Sequence, residues 1–264
     1  MKVMGLLENG ITFINFDETY LAQHKLHNYL HDDLDFRQMK HVNLYCEEDS
    51  LQSLMKQLDK RIQKGITFIG SGNYHYVTFI LLKEIKKPFT LVLFDNHPDI
   101  GLDNKPHENL LSCGSWVSFA LKEIPLLQRV VIIGPTTITS HFSTDPRVVI
   151  FPFDGRHDYS IKSVLSVIHT SNVYISIDKD VLNTTDAATN WDQGIMDLTR
   201  LNRFLEAILI AKKAEGIDIC GEVPINPTNI LLPNYQTMIY KNEKANLQIL
   251  QTCLKMSHLQ NKGA

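Results

Sequence analysis

Short apolar segments alternate along the chain with longer amphipathic segments. Most of the short segments are continuously apolar and rich in β-branched residues, which is typical of parallel strands buried on both faces. Strands that alternate with helices indicate an α/β domain built on a mainly parallel sheet. The predicted strands are Ile11–Ile14, Val42–Tyr45, Ile66–Ile69, Thr90–Phe94, Val130–Ile133, Val148–Phe151, Val173–Ile177 and Ile217–Cys220.

The longer segments carry the apolar spacing of amphipathic helices. In the first of them apolar residues recur at i, i+3 and i+4 behind Asp49 and Ser50, and Gly65 follows as a stop signal. No internal repeat, low-complexity stretch or Pro/Gly-rich linker divides the chain, so we predict a single domain over residues 1–264. The predicted helices are Leu51–Ile62, Trp116–Ile124, Asp197–Glu215 and Glu243–Met256.

Composition and charge disfavour two classes of partner. Hydrophobic residues make up 44% and charged residues 21% of the chain, which is ordinary for a globular protein. The net charge of -3 disfavours a protein that mainly grips nucleic acid, because such proteins usually carry a basic excess. No apolar run approaches the roughly 20 residues that span a bilayer, and the N-terminal residues lack the pattern of a secretory leader. We therefore expect a cytoplasmic protein without a nucleic-acid or membrane partner.

Three of the predicted strands are followed by residues of types that bind metal ions. The segment after Thr90–Phe94 reads Asp-Asn-His-Pro-Asp, the segment after Val173–Ile177 reads Asp-Lys-Asp, and a histidine follows the glycine-rich turn after Ile66–Ile69. In sheets of this kind the ligand site lies beyond the carboxyl ends of the strands, and alternate residues of an extended segment share a face. The side chains expected to converge are His75, Asp95, His97, Asp99, Asp178 and Asp180.

Carboxylates packed together at one rim need a counter-charge, because they otherwise repel one another and raise one another's pKa. Divalent metal ions remove that conflict. Carboxylate and imidazole ligands without a thiolate favour Mn²⁺ or a similar ion over a structural zinc ion. The number of ligands is about right for two ions that share bridging carboxylates. We therefore predict a site for two Mn²⁺ ions in each chain.

The same segments carry a resemblance to a known family. In chain order, GNYHY, DNHPD, SIDKD and DICGEVP resemble the GGDHS, DAHxD, SxDxD and E-x-x-P motifs of the arginase/ureohydrolase superfamily, over roughly residues 60–230. The resemblance implies a three-layer α/β/α sandwich with an eight-stranded parallel sheet. It also implies a dimanganese hydrolase that acts on a C–N bond of a guanidino, amidino or related small molecule, in a family that commonly forms homo-oligomers.

By this resemblance each predicted ligand has a place in the metal pair. One ion would be held mainly by His75 and Asp99, and the other by His97 and Asp180. The bridging carboxylates would be Asp95 and Asp178.

Asp99 has a second possible role besides metal binding, and Trp191 and Asp192 are candidates for substrate binding. Asp99, at the end of its motif, could orient the attacking water and pass its proton to the leaving amine. Trp191 could stack on a planar or cationic substrate, or it could only cover the sheet edge. Asp192 could pair with the positive end of a substrate.

The chain departs from the family's motifs at residues that concern the substrate. Cys113 stands where arginases place a proton-shuttling histidine. His107 could take over that role, or it could be an exposed loop residue. The glutamate that grips the guanidinium would fall at Gly221, so Glu222, one residue later, faces the substrate only with the help of a bulge. We therefore expect the chain not to hydrolyse free L-arginine efficiently.

Two other functions stay open at this point. A histone-deacetylase-like amidohydrolase would use a single zinc ion and a His-His pair, and it would leave Asp99 and Asp180 unexplained. A non-catalytic metal-binding member of the family would explain the altered substrate segments, because a full set of ligands does not require turnover.

Overall fold

A computed structural model describes residues 10–101, 110–137, 145–226 and 228–262. The strands are β1 Ile11–Asn15, β2 His31–Asp35, β3 Tyr45–Cys46, β4 Ile66–Phe68, β5 Phe89–Phe94, β6 Leu111–Ser112, β7 Leu127–Ile133, β8 Val148–Phe151, β9 Asn172–Asp178 and β10 Lys213–Cys220. The α-helices are α1 Glu48–Leu58, α2 Val77–Leu82, α3 Trp116–Glu123, α4 Ile161–Val167, α5 Leu198–Ala211 and α6 Pro233–Lys262. Three short 3-10 helices are Leu26–Asn28, Gly72–Tyr74 and Lys179–Val181.

Eight of these strands form one sheet in the order β2-β1-β4-β10-β9-β5-β7-β8. Every pair of neighbours in it runs parallel. The strands β3 and β6 form a separate antiparallel pair. The predicted eight-stranded parallel sheet is therefore confirmed, although one of its strands differs from the prediction.

Helices cover both faces of the sheet. Buried residues of α1, α2 and α3 pack in one apolar cluster, and those of α4, α5 and α6 pack in another. Along β9, Val173, Ile175 and Ile177 belong to the second cluster, whereas Tyr174 belongs to the first. This alternation is what a strand buried on both faces requires. The predicted three-layer α/β/α architecture is confirmed.

The edge strand β2 contains no apolar run, so the hydrophobic pattern of the sequence does not predict it. Its sequence is HDDLD, and it pairs with β1 on one side only. Charged residues are common on edge strands, because they prevent pairing with other chains.

The predicted strand over Val42–Tyr45 is wrong for the main sheet. His41 and Leu44 have φ angles of 57° and 66°, which a strand cannot accommodate.

Three predicted helices have bounds that differ from the observed ones by more than one residue. The first, predicted over Leu51–Ile62, is observed over Glu48–Leu58. The helix predicted over Asp197–Glu215 ends earlier, because Lys212 is extended with φ -136° and ψ 155° and the chain enters β10 at Lys213. The last helix begins at Pro233, ten residues before the predicted start at Glu243. The short helix α2 is buried along its whole length, so it shows no amphipathic spacing for a pattern to detect.

The parallel arrangement brings four carboxyl ends together, because β4, β10, β9 and β5 are consecutive in the sheet. His75 follows β4 through the 3-10 helix Gly72–Tyr74, Asp95 follows β5 directly, and Asp178 ends β9.

None of the helices in the described ranges has the length and apolar character needed to cross a membrane.

Candidate metal centre

His75 lies at the centre of a group of buried carboxylates. Its Nδ1 atom is 3.0 Å from Asp99 Oδ2, 3.3 Å from Asp95 Oδ2 and 3.6 Å from Asp178 Oδ2. All four side chains are buried. Three carboxylate oxygens therefore face one imidazole nitrogen in a buried site, and one of them, Asp95 Oδ2, accepts no hydrogen bond from any residue that the structure describes.

The other nitrogen of His75 is fixed by a relay of two residues. Ser176 Oγ donates to Asp218 Oδ1 at 2.7 Å and lies 2.9 Å from His75 Nε2. Because the serine hydroxyl proton goes to Asp218, the serine oxygen accepts from His75 Nε2–H. In the neutral imidazole the lone pair of Nδ1 then faces the carboxylates. Outer partners of this kind set the tautomer of metal-binding histidines. Ser176 and Asp218 both lie in the quoted motifs, but the residue pattern alone does not indicate this role.

A second group forms around His97, which lies nearer the surface. Its Nδ1 atom is 2.7 Å from Asp180 Oδ2 and 3.7 Å from Asp95 Oδ1, and 37% of its side chain is exposed. Burial lowers the pKa of His97, but the Asp180 carboxylate and the charges of Asp99 and Asp178 outweigh burial and raise it to about 9. The backbone N–H of Asn96 donates to Asp180 Oδ1 at 3.0 Å and orients this carboxylate.

Asp95 belongs to both groups. Potential ligand atoms of His75, Asp95 and Asp99 lie within 4.8 Å of one another, and so do those of Asp95, His97 and Asp180. Asp95 turns Oδ2 towards the first group and Oδ1 towards the second. Two neighbouring three-residue groups that share a carboxylate have the form of a bridged two-ion site.

The electrostatics of the buried carboxylates also fit a cation. Burial, with the charges of Asp180 and Asp99, raises the pKa of Asp95 well above its usual range. Burial and the charge of Asp180 raise the pKa of Asp178 to about 6. Asp95 Oδ2 is buried and accepts no hydrogen bond from any residue that the structure describes. Divalent ions at these groups would supply the missing positive charge.

Asp99 adopts a backbone conformation that is unusual for its residue type. Its φ angle is 52°, in the left-handed region that non-glycine residues occupy rarely and often at functional sites. The surrounding contacts enforce this conformation. Trp116 Nε1 donates to Asp99 Oδ2 at 2.7 Å, and the backbone N–H of Val117 donates to the Asp99 carbonyl at 3.0 Å.

Asp178 has a thiol as a direct neighbour. Cys220 Sγ donates to Asp178 Oδ2 at 3.2 Å, and the Asp180 backbone N–H donates to Asp178 Oδ1 at 2.9 Å. The side chain of Cys220 faces a candidate metal ligand, and burial raises the pKa of its thiol well above the usual range.

Glu222, a predicted catalytic residue, points away from these groups. Its Oε1 atom accepts from Lys179 Nζ and Asn246 Nδ2, and its Oε2 atom accepts from Gln23 Nε2 and Asn242 Nδ2. None of these partners is a candidate metal ligand. The residue that faces the centre is Gly221, where a Cβ atom would lie 2.3 Å from Asp178 Oδ1. All four described partners of the Glu222 carboxylate are thus protein side chains of this buried cluster, and a substrate contact by Glu222 stays a prediction.

The remaining predicted residues lie near the surface or outside the described ranges. Trp191 is 41% exposed, its ring centroid is 6.1 Å from that of His97, and it covers Gly72, where a Cβ atom would lie 2.7 Å from the indole. Asp192 is exposed and its carbonyl accepts from Asn96. Burial, with the charges of Asp99 and Asp178, raises the pKa of the Cys113 thiol to about 12. His107 lies outside the described residues.

Comparison with known proteins identifies the family of the chain. Residues 13–224 match the Arginase family. An uncharacterized protein of Thermotoga maritima is 35% identical over 191 residues, which are 70% of this chain and 66%, just under two thirds, of that protein.

Solved structures show the same fold at low sequence identity. A hypothetical agmatinase from Burkholderia thailandensis superimposes with a TM-score of 0.68 at 16% identity, covering 96% of this chain and 86% of that one. Formimidoylglutamase from Bacillus subtilis gives a TM-score of 0.67 at 16% identity, covering 92% and 85%. Arginase from Bacillus subtilis gives 0.65 at 15% identity, covering 92% and 96%. The chain belongs to the arginase family.

Proposed function

We propose that this protein is a dimetal hydrolase of a C–N bond in a guanidino, amidino or related small molecule. The observation that carries the proposal is the pair of ligand groups that share Asp95, with an oxygen of Asp95 buried beside His75 and without a hydrogen bond in the described structure. His75, Asp99 and Asp178 would hold one ion and His97 and Asp180 the other, and Asp95 would contribute to both. Mn²⁺ suits these ligands, because they are carboxylates and imidazoles.

Two divalent ions, when bound, lower the pKa of water so that it can attack a planar carbon near neutral pH. The chain's own residues then have separable tasks. Asp99 orients the attacking water and carries its proton to the leaving amine. Trp116 holds one oxygen of that carboxylate in place through the 2.7 Å hydrogen bond. The relay from Asp218 through Ser176 keeps the His75 ring in the tautomer that binds a cation.

The entrance of the site favours a small planar or cationic substrate group. The indole of Trp191 stands beside His97 at the surface and can stack on such a group. The exposed Asp192 is the next residue in the chain after Trp191, and its carboxylate can pair with a positive end of the same molecule. Free L-arginine remains a poor candidate, because Glu222 is occupied in another cluster and Cys113 is a neutral thiol where arginases have a histidine. The expected cytoplasmic location and homo-oligomeric assembly stay predictions.

The test is a substrate panel with the Mn²⁺-loaded full chain. L-arginine, agmatine, guanidino acids and formimino compounds are compared by kcat/KM, with release of urea or ammonia as the readout. We expect a compound other than L-arginine to reach the range of about 10⁴–10⁸ M⁻¹s⁻¹ that is usual for good substrates. L-arginine in that range would contradict the exclusion of arginase activity.

Two variants tie any activity to the metal centre. Asp180→Asn is expected to lose one of two bound Mn²⁺ ions and nearly all activity. Asp59→Asn removes an exposed carboxylate just after α1 and is expected to keep both ions and full activity. Acetate release from acetylated amines would instead indicate a deacetylase-like enzyme. Two bound ions without turnover of any compound would indicate a non-catalytic metal-binding protein.

A further inference from the structure

A second cluster of metal-binding residue types lies at the edge of the sheet. It consists of His27 on the 3-10 helix Leu26–Asn28 and of His31 and Asp33, which share a face of the edge strand β2. His27 Nδ1 is 3.3 Å from His31 Nε2, and His31 Nε2 is 3.2 Å from Asp33 Oδ2. The two histidines are partly buried and Asp33 is exposed, so the cluster opens to solvent. We call it the edge cluster.

The tautomers of the two rings follow from their other nitrogens. His27 Nε2 lies 3.0 Å from the carbonyl oxygen of Tyr20, and His31 Nδ1 lies 2.6 Å from the carbonyl oxygen of Tyr29. A carbonyl oxygen only accepts hydrogen bonds, so both of these nitrogens carry a hydrogen atom. In the neutral rings, His27 Nδ1 and His31 Nε2 therefore each present a lone pair.

Three electron-pair donors then converge on one point without a donor hydrogen between them. The two imidazole lone pairs face each other at 3.3 Å, and the Asp33 carboxylate adds an acceptor 3.2 Å from one of them. Such an arrangement is unfavourable until a proton or a cation enters it. Histidines whose second nitrogen donates to a backbone carbonyl are the usual form of imidazole ligands in metal sites.

The rings are also held in position before any ligand arrives. Phe13 lies 4.9 Å from the centroid of each histidine ring, tilted against His27 and edge-on to His31. Each imidazole thus has one fixed hydrogen bond and one packed face. Ligands that are already ordered lose little conformational entropy on binding an ion.

We propose that the edge cluster is a binding site for a divalent cation of the Zn²⁺ class, separate from the carboxylate-rich centre. Zn²⁺ binds imidazole nitrogen and carboxylate oxygen at about 2.0–2.2 Å in tetrahedral sites, which separates neighbouring ligand atoms by about 3.3–3.5 Å. The two distances of 3.3 and 3.2 Å in the cluster are close to that separation. Solvent supplies the fourth ligand.

The ligand sets of the two sites favour different ions. The centre around Asp95 has four carboxylates and two imidazoles, whereas the edge cluster has two imidazoles and one carboxylate. Imidazole-rich sites bind Zn²⁺, Ni²⁺ and Cu²⁺ more tightly than Mn²⁺. A cation bound at the edge cluster would connect the 3-10 helix Leu26–Asn28 to the edge strand β2. It would therefore stabilise this edge of the sheet whether or not the main centre is catalytic.

The test counts ions in the full-length protein. Protein saturated with Mn²⁺ is dialysed to equilibrium against excess Zn²⁺, and total Mn and Zn per chain are measured by elemental analysis. The wild type is expected to bind about one more ion than His31→Gln or Asp33→Asn. Asp33 is 61% exposed, so its amide variant tests the ligand without disturbing packing. His24→Gln changes an exposed histidine of the same segment and is expected to match the wild type.

Imidazole NMR gives a readout independent of stoichiometry. Addition of Zn²⁺ should shift the ring resonances of His27 and His31 in the wild type, and the same addition to Asp33→Asn should shift them much less. Equal ion counts in the wild type and in both ligand variants would overturn the proposal. So would ring resonances that titrate with pH but do not respond to Zn²⁺, because the converging atoms would then share only a proton. Neither outcome depends on turnover at the main centre.

Discussion

The ammonium group of Lys179 pairs with the carboxylate of Glu222 inside the protein, where their side chains are 0% and 2% exposed. Lys179 stands between Asp178 and Asp180 in the sequence, and Glu222 also accepts from Asn242 and Asn246 of α6. The pair therefore connects the segment that carries two candidate metal ligands to the C-terminal helix.

Removal of one member of this pair should destabilise the fold strongly. Glu222→Gln leaves the Lys179 charge buried without its counter-charge, which costs about 3–5 kcal/mol. Chemical denaturation would measure the loss in the free energy of unfolding. The control Glu123→Gln breaks a pair with Lys83 whose carboxylate is 43% exposed, and it should cost less than about 1 kcal/mol. The double variant Lys179→Met/Glu222→Gln should recover part of the loss, and equal effects at both glutamates would contradict this account.

Chelation of metal should lower the melting temperature. An ion that binds only the native state, at a hundredfold excess over its Kd, adds about 2.7 kcal/mol, which corresponds to roughly 5–10 °C for a domain of this size. The buried Asp95 and Asp178 carboxylates make the metal-free fold the less stable form. Calorimetry of the Mn²⁺-loaded and chelated protein measures the difference. An unchanged melt after verified removal of the metal would show that these carboxylates bind no ion.

Loss of the serine relay should weaken metal binding without removing a ligand. Ser176→Ala frees His75 Nε2 from its 2.9 Å partner, so the ring can rotate or change tautomer. Substitution of such outer partners typically lowers metal affinity or activity by about 10- to 100-fold. Competition with a metal-sensitive dye would measure the affinity of each variant. Ser166→Ala, in the exposed turn after Ser163 on α4, should leave it unchanged. Equal metal affinities for Ser176→Ala and Ser166→Ala would show that the hydrogen bond between His75 and Ser176 does not support metal binding.

Stability should fall at alkaline pH through the buried thiol of Cys253 on α6. Burial raises the pKa of Cys253 from 9.0 to about 12, so above pH 9 the unfolded chain loses a proton that the folded chain keeps. The stabilisation is complete below pH 9 and declines as pH rises towards the folded pKa. At pH 10 the decline from this group is about 1.4 kcal/mol.

Paired denaturation curves isolate this contribution. The free energy of unfolding is measured at pH 8 and pH 10 for the wild type and for Cys253→Ala. The variant should lose less stability between the two pH values, whatever its cavity costs at both. Met256→Leu changes a buried neighbour that does not titrate, so it should follow the wild type. Parallel pH dependences in the wild type and Cys253→Ala would exclude the thiol as the cause.

The convergence of the metal-binding residue types was predictable because it depends on topology alone. Consecutive parallel strands place their carboxyl ends at one edge, so the residues after β4, β5 and β9 had to meet. The relay was not predictable in the same way. Ser176 and Asp218 meet because they are partners in the register between β9 and β10. Strands that are buried on both faces carry no alternation of apolar and polar residues that would fix this register from the sequence.

The direction of Glu222 and the edge cluster could not be predicted from the hydrophobic pattern of the sequence either. The direction of Glu222 follows from a buried cluster with residues of distant segments, among them Gln23 and Asn246. The edge cluster lies on β2, a strand without an apolar run, so neither the strand nor the meeting of His27 with His31 follows from periodicity.

The left-handed backbone of Asp99 places two independent demands on one position. Glycine would satisfy the φ angle of 52° but would remove the carboxylate, and most other residues would fail on both counts. Asparagine tolerates this conformation and keeps the shape of the side chain. Asp99→Asn is therefore the substitution that separates charge from geometry, whereas an alanine scan at this position would confound a lost ligand with a refolded loop.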